Sequence, residues 1–192
     1  MEQFSVFFRL GWEHITDING YDHLLFIITL CAFYTLQEWK NILILVTAFT
    51  LGHSVTLALS ILDIVRISSS VIEFLIPVTI FLTAFYNVIQ PSAKKGRLQG
   101  NYAMALFFGL IHGMGFSNYL RALTSDSGEL VSQLVAFNLG LEFGQILIVI
   151  VFFILYGVLK MIFALQHHDW KLFVSGAGAG VSLILIAETW LW

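Results

Sequence analysis

Residues 14–33 read HITDINGYDHLLFIITLCAF. From Leu24 onward the stretch is apolar enough for lipid. Asp22 and His23 stand at its threshold, where a carboxylate and an imidazole are costly to keep. The pair either caps an ordinary helix or opens a polar site inside a membrane bundle, and the rest of the chain bears on the choice.

Of 192 residues, 58% are hydrophobic and 11% charged, with 18 phenylalanines. The mean hydropathy is +0.88. A soluble domain carries roughly 25% charged residues, so this composition points to an all-α integral membrane protein. The net charge of −3 then says little about the fold. The single cysteine, Cys31, has no partner for a disulfide within the chain. The opening residues MEQFSVFFRLGWEH lack a basic run and a small-residue cleavage site, so no signal peptide is expected.

A helix needs about 20 mostly apolar residues to cross a bilayer. Six segments fit, at 20–36, 40–62, 69–89, 101–123, 134–163 and 172–191. Residues 4–15 are apolar but interrupted by Arg9, Glu13 and His14. They predict a short amphipathic helix at the interface. The expected organisation is one polytopic domain over residues 1–192, with the longest polar stretch at Gln90–Gly100.

Six crossings put Arg9, Arg66 and Arg121 on one side. Lys40, Lys94, Lys95, Arg97, Lys160 and Lys171 fall on the other. The excess of basic residues makes the second side cytoplasmic, so both termini are expected to face outward. Trp39, Tyr102 and Trp170 then mark the inner boundary, and Trp12, Tyr21, Trp190 and Trp192 the outer one. The outer loops also carry Glu2, Glu13, Asp17, Asp63, Asp126 and Glu129. Each alone reads as a solvated loop residue; together they would concentrate cations.

Ionisable residues within spans cost roughly 2.5–3.5 kcal/mol at the bilayer centre and usually mark function. The second segment carries Thr47, Thr50, His53, Ser54 and Thr56 close to one face. The third begins with Glu73, the fourth holds His112, and the sixth ends at Glu188. In the fifth, Asn138, Glu142 and Gln145 form one stripe. His53, His112 and Glu142 lie nine, eleven and eight residues from the outer ends of their segments, about 12–17 Å at 1.5 Å per residue. Asp22 and His23 enter from the same boundary and would form the rim of a shared polar cavity. The pairs Gly109/Gly113 and Gly140/Gly144 would let helices pack closely there.

Imidazole and carboxylate suit zinc, nickel, copper or iron, and neighbouring hydroxyls such as Ser54 and Thr50 could orient the rings. A lone intramembrane histidine more often bonds a neighbouring helix. The set Asp22, His23, His53 and His112 instead favours a metal site. Glu142 fits a ligand, a proton carrier or a buried acid tied to Asn138. His14 is set apart, because Asn19-Gly20 should break the helix before Asp22. Together with Glu73 and Gln145 it counts as supporting. His167 and His168 read as solvated loop residues.

The chain resembles the HupE/UreJ family of bacterial membrane proteins over nearly its whole length. The resemblance rests on HITDINGYDHLLF, TAFTLGHSVTLALS, FGLIHGMGFS and FNLGLEFGQ, in that order. It implies a nickel or cobalt permease of hydrogenase- or urease-accessory type in the bacterial inner membrane. Metal-handling roles fall on Asp22, His23, His53, His112 and Glu142. The wider nickel/cobalt permeases look similar in a His followed by Asp-His and in a Gly-His-Ser motif, with a shorter gap than the seven residues between His14 and Asp22. A further echo lies within the chain: FTLG at Phe49–Gly52 returns as FNLG at Phe137–Gly140. The two segments run in opposite directions, as a three-plus-three inversion requires.

The leading expectation is a secondary transporter for a divalent transition metal, nickel favoured, with cobalt, zinc or copper as alternatives, since no nucleotide-binding motif is present to drive a pump. A membrane-embedded zinc hydrolase is the second, with His23, His53 and His112 as ligands and Asp22 or Glu142 as base, although no H-E-x-x-H motif occurs. A metal-free accessory or assembly subunit is the third. The expected partners are the lipid bilayer and the metal ion; no nucleic acid is expected, and a homo-oligomer is compatible with the sequence.

Overall fold

The computed structural model describes residues 2–90, 98–116 and 130–190. Lys94, Lys95, Arg97, Arg121, Asp126, Glu129 and Trp192 lie outside the described residues, as do the outer ends expected for the fourth and sixth segments. The described chain is helical, with no strand: α1 (Glu2–Thr16), α2 (Asp22–Ala32), a 3-10 turn (Leu36–Glu38), α3 (Trp39–Ile61), α4 (Ser69–Ile89), α5 (Leu98–Gly115), α6 (Leu130–Phe163) and α7 (His167–Glu188). In lipid only internally hydrogen-bonded backbone is tolerated, which is why long apolar runs become helices. Four of them, Leu36–Ile61, Ser69–Ile89, Leu130–Phe163 and His167–Glu188, are long and apolar enough to cross a membrane.

The segment expected at 20–36 forms an 11-residue helix, about 16 Å long and half of a bilayer core. Local chemistry sets its limits. The Asp17 carboxylate accepts hydrogen bonds from the Asn19 amide N–H at 2.9 Å and from Asn19 Nδ2 at 3.2 Å, an Asx turn that ends α1. At the other end Glu38 accepts from the Thr35 N–H and hydroxyl, both at 3.0 Å, and starts the chain into α3.

The helix α1 packs along α6 and buries Phe7, Gly11 and Ile15. Both run in the same sense, since Gln133 Nε2 donates to Gln3 Oε1 at one end and Ile15 meets Gly144 at the other. The α3–α5 pair is likewise parallel, with Phe49 at Gly109 and Thr56 at Gly113. Both crossings are close enough to require glycine. A Cβ on Gly140 would lie 1.9 Å from the Phe8 carbonyl oxygen, and one on Gly52 would lie 2.2 Å from that of Leu106. Helices α3 and α6 oppose each other: His53 meets the Phe137 ring near one end, and Trp39 shares a groove with Phe153 near the other. The third pair, α4 and α7, is antiparallel, with Phe74 against Trp190 and Asn87 against Ser175. The short α2 threads between the pairs from His23, beside His112, to Tyr34, whose hydroxyl accepts from Asn101 Nδ2. It therefore runs antiparallel to α5 and in the same sense as α1 and α6.

Candidate metal centre

Four helices deliver four histidines to one place. His14 comes from the last turn of α1, His23 from the first turn of α2, His53 from α3 and His112 from α5. The ring of His23 stands 4.6 Å from His14, 5.1 Å from His112 and 6.3 Å from His53, centre to centre. The nearest ligand atoms of His14, His23 and His53 all lie within 4.8 Å of one another. His53 is 0% exposed, His112 1% and His23 5%. Phe26, Phe49, Phe116 and Phe137 wall the cluster with ring separations from these imidazoles of 4.1–6.2 Å.

Hydrogen bonds fix which nitrogen two of the rings offer. Asp22 Oδ1 accepts from His23 Nδ1 at 2.9 Å and from the His23 backbone N–H at 2.8 Å. His112 Nδ1 donates to the Phe108 carbonyl at 2.9 Å. With protons on Nδ1, both rings keep an Nε2 lone pair free to ligate, an arrangement typical of metal-ligating histidine. The Nε2 atoms of His14, His23, His53 and His112, and Nδ1 of His53, are buried with no protein partner. An unmatched buried polar atom costs about 1–3 kcal/mol. Several such nitrogens on converging rings form a donor set that suits a first-row transition metal.

Two cavities reach this region on either side of the Asp17–Tyr21 turn, and Asn19 lines both. One, of about 550 Å³, is walled by Glu13, His14, Asp17 and Phe116. The other, of about 370 Å³, is walled by Tyr21, Asp22, Glu73, Pro77 and Thr189.

The remaining sequence candidates fall elsewhere. Glu142 Oε1 accepts from Thr47 Oγ1 at 2.7 Å, and Gln145 Oε1 from Thr50 Oγ1 at 2.8 Å, so both tie α6 to α3. Asn138 Nδ2 donates to the Leu134 carbonyl of its own helix at 2.8 Å, and Ser54 to the Thr50 carbonyl at 2.6 Å. Glu73 is exposed and reaches only the rim of the second cavity. His167 Nε2 bonds to the Tyr34 carbonyl at 3.0 Å, which joins α7 to the end of α2. The sequence reading set His14 apart, yet it is the nearest histidine to His23. The helix does break where Asn19-Gly20 predicted, and the turn leaves His14, in the last turn of α1, beside His23 in the first turn of α2. A signal existed: Gly11-Trp-Glu-His14 shares its Gly-x-x-His spacing with Gly109-Leu-Ile-His112.

No curated protein and no solved structure matches the chain. A family model described as HupE / UreJ protein matches residues 1–192. This membrane protein, with its histidine cluster suited to a metal ion, belongs to the HupE/UreJ family.

Proposed function

We propose that the protein is a secondary transporter for a divalent transition metal, nickel favoured, with His14, His23 and His53 as the binding ligands. The supporting observation is the convergence of partnerless imidazole nitrogens, one of whose rings, His14, lines a cavity together with Glu13 and Asp17. The carboxylates would draw a hydrated cation inward, and the imidazoles would replace its water. Asp22 acts by orienting His23 and strengthening its Nε2 as a donor, rather than by touching the ion.

Six crossings follow if α1 and α2, which run in the same sense, together make one interrupted span. Such broken helices place transporter binding sites at their break, and here the break carries His14, Asp22 and His23. The distribution of Lys and Arg supports termini facing outward from the bacterial inner membrane.

Vesicles reconstituted with the purified protein should accumulate nickel above protein-free vesicles, and the His53→Ala protein should not. Accumulation equal in both would refute the assignment. One observation favours a second reading. Three imidazoles beside an open cavity are also the ligand set of a catalytic zinc with a free position for water. Metal binding that depends on His53 without any uptake would support that alternative, and protein that retains no metal would support an accessory subunit.

A further inference from the structure

The two glycine crossings match residue by residue. A Cβ on Gly11 would lie 1.9 Å from the Phe137 carbonyl oxygen and 3.0 Å from the Leu141 nitrogen. On Gly109 it would lie 2.1 Å from the Phe49 carbonyl oxygen and 3.1 Å from the His53 nitrogen. The reverse contacts agree. Gly140 meets the Phe8 carbonyl oxygen at 1.9 Å and the Trp12 nitrogen at 3.0 Å; Gly52 meets the Leu106 carbonyl oxygen at 2.2 Å and the Leu110 nitrogen at 2.9 Å. Thus α1 corresponds to α5 and α3 to α6 in one fixed register. Phe49-x-Leu-Gly52 overlies Phe137-x-Leu-Gly140, and Gly11-x-x-His14 overlies Gly109-x-x-His112. One turn further on, the small residue changes sides: Gly113 faces Thr56, whereas Gly144 faces Ile15. Because α3 and α6 are antiparallel, the correspondence is an inversion. The antiparallel α4 and α7 supply the third pair, in the chain order α1–α3–α4 then α5–α6–α7.

Two further departures from the symmetry lie in the cluster, among the described residues. Among the described residues α2 has no counterpart; its His23 stands between His14 and His112 at nearly equal ring distances of 4.6 and 5.1 Å. His53 has Leu141 as its counterpart.

We infer that the chain is an inverted repeat whose pseudo-twofold axis passes through the histidine cluster, and that His112 is the mirror ligand of His14, taking the metal with His23 when α1–α6 rocks against α3–α5. This rests on the transport reading above. The crossings hold each pair as a unit, since sliding would bring a carbonyl oxygen from its glycine onto a residue with a Cβ, for which there is no room. A rocking motion between the pairs would part His14 from His53 while His23, on α2 outside both pairs, stays central. The ion then passes from a three-imidazole position to a mirrored one with two imidazoles and Leu141, where binding is weaker and release easier. His112 accordingly lies outside the mutually close group of His14, His23 and His53.

Cobalt(II) binding to the purified full-length protein, followed by its visible absorption, tests the mirror relation. His53→Leu should weaken binding at least a hundred-fold. Adding Leu141→His to that variant should restore it to within about ten-fold, and the restored site should now need His112 and not His14. A double variant that elutes as a folded species and binds no better than His53→Leu would overturn the inference. A second measurement leaves His53 and Leu141 in place. His112→Ala should keep cobalt affinity within about three-fold of the unsubstituted protein while vesicle uptake falls at least ten-fold. A hundred-fold loss of affinity, equal to that of His14→Ala, would make His112 an ordinary ligand of one site and overturn the mirror role. Failure of the unsubstituted protein to bind cobalt would instead overturn the metal reading beneath it.

Discussion

Two polar regions lie inside this apolar bundle, and they are built on opposite terms. In the seam of α2, α4 and α7, Asn87 Nδ2 donates to the Thr29 carbonyl at 2.7 Å and to Ser175 Oγ at 3.3 Å. Thr79 and Thr83 donate to carbonyls of their own helix at 2.7 and 2.9 Å. The Thr29 hydroxyl is the exception, pressed against Gly178. In the histidine cluster Nδ1 of His23 and of His112 is engaged as a donor, and the Nε2 atoms of all four rings are buried without a partner among the described residues. A buried polar group that has found a partner joins helices; several that face one another without partners are arranged for something that is not protein. Polarity inside a membrane protein is thus a weak sign of function until its bonding is known.

The largest effect that would sharpen this contrast is removal of a ligand. His23→Ala, which takes away the imidazole central to the cluster, should lower nickel affinity at least a hundred-fold by calorimetry. Retention of wild-type affinity would put the ion elsewhere. Next comes the scaffold that carries His14. Gly11→Ala places a methyl group 1.9 Å from a carbonyl oxygen and should drive α1 off α6, with loss of metal binding, whereas Gly157→Ala on α6, which meets nothing within 4 Å, should change neither stability nor affinity. Equal behaviour of the two glycines would show that the crossing does not position the site.

A smaller effect is expected from Asp22→Ala, because that carboxylate acts through His23. Loss of an outer-shell partner of a ligating histidine typically costs 10–100-fold in affinity. A loss as large as that of His23→Ala would mean that Asp22 itself contacts the ion. The smallest effect belongs to the paired seam. Asn87→Ala should cost about 0.6–2 kcal/mol of stability, as interhelical hydrogen bonds in membranes do, and leave nickel affinity unchanged. A loss of affinity there would erase the distinction between the two regions.

Hydropathy made α3, α4 and α6 legible almost to their ends, because the faces turned toward lipid are themselves apolar and the reading needs only length. It overestimated the first segment. Phe33 and Tyr34 continue the apolar run, yet the helix stops at Ala32 and Thr35-x-x-Glu38 caps the next turn. It also set α1 at the interface, since Arg9 and Glu13 interrupt it. The structure turns those two outward as an i, i+4 ion pair of 2.7 Å and buries Phe7, Gly11 and Ile15 against α6. Packing partners are not written in hydropathy, so neither that docking nor the nearness of His14 to His23 was visible. Of the expected site residues, the structure brings His23, His53 and His112 together, and their candidacy was legible because an imidazole in lipid has few explanations. Glu142 accepts from Thr47, a bond that the sequence does not show, because a carboxylate that ligates and one that accepts a hydrogen bond look the same in it.

The account rests on imidazoles from separate helices holding one ion, and X-ray absorption at the metal edge reads that directly. Purified protein loaded with one equivalent of zinc should show imidazole scattering from three ligands at about 2.0–2.1 Å, the usual zinc–nitrogen distance, and His53→Ala should remove it. A coordination shell of oxygen alone, or protein that leaves dialysis free of metal, would contradict the account.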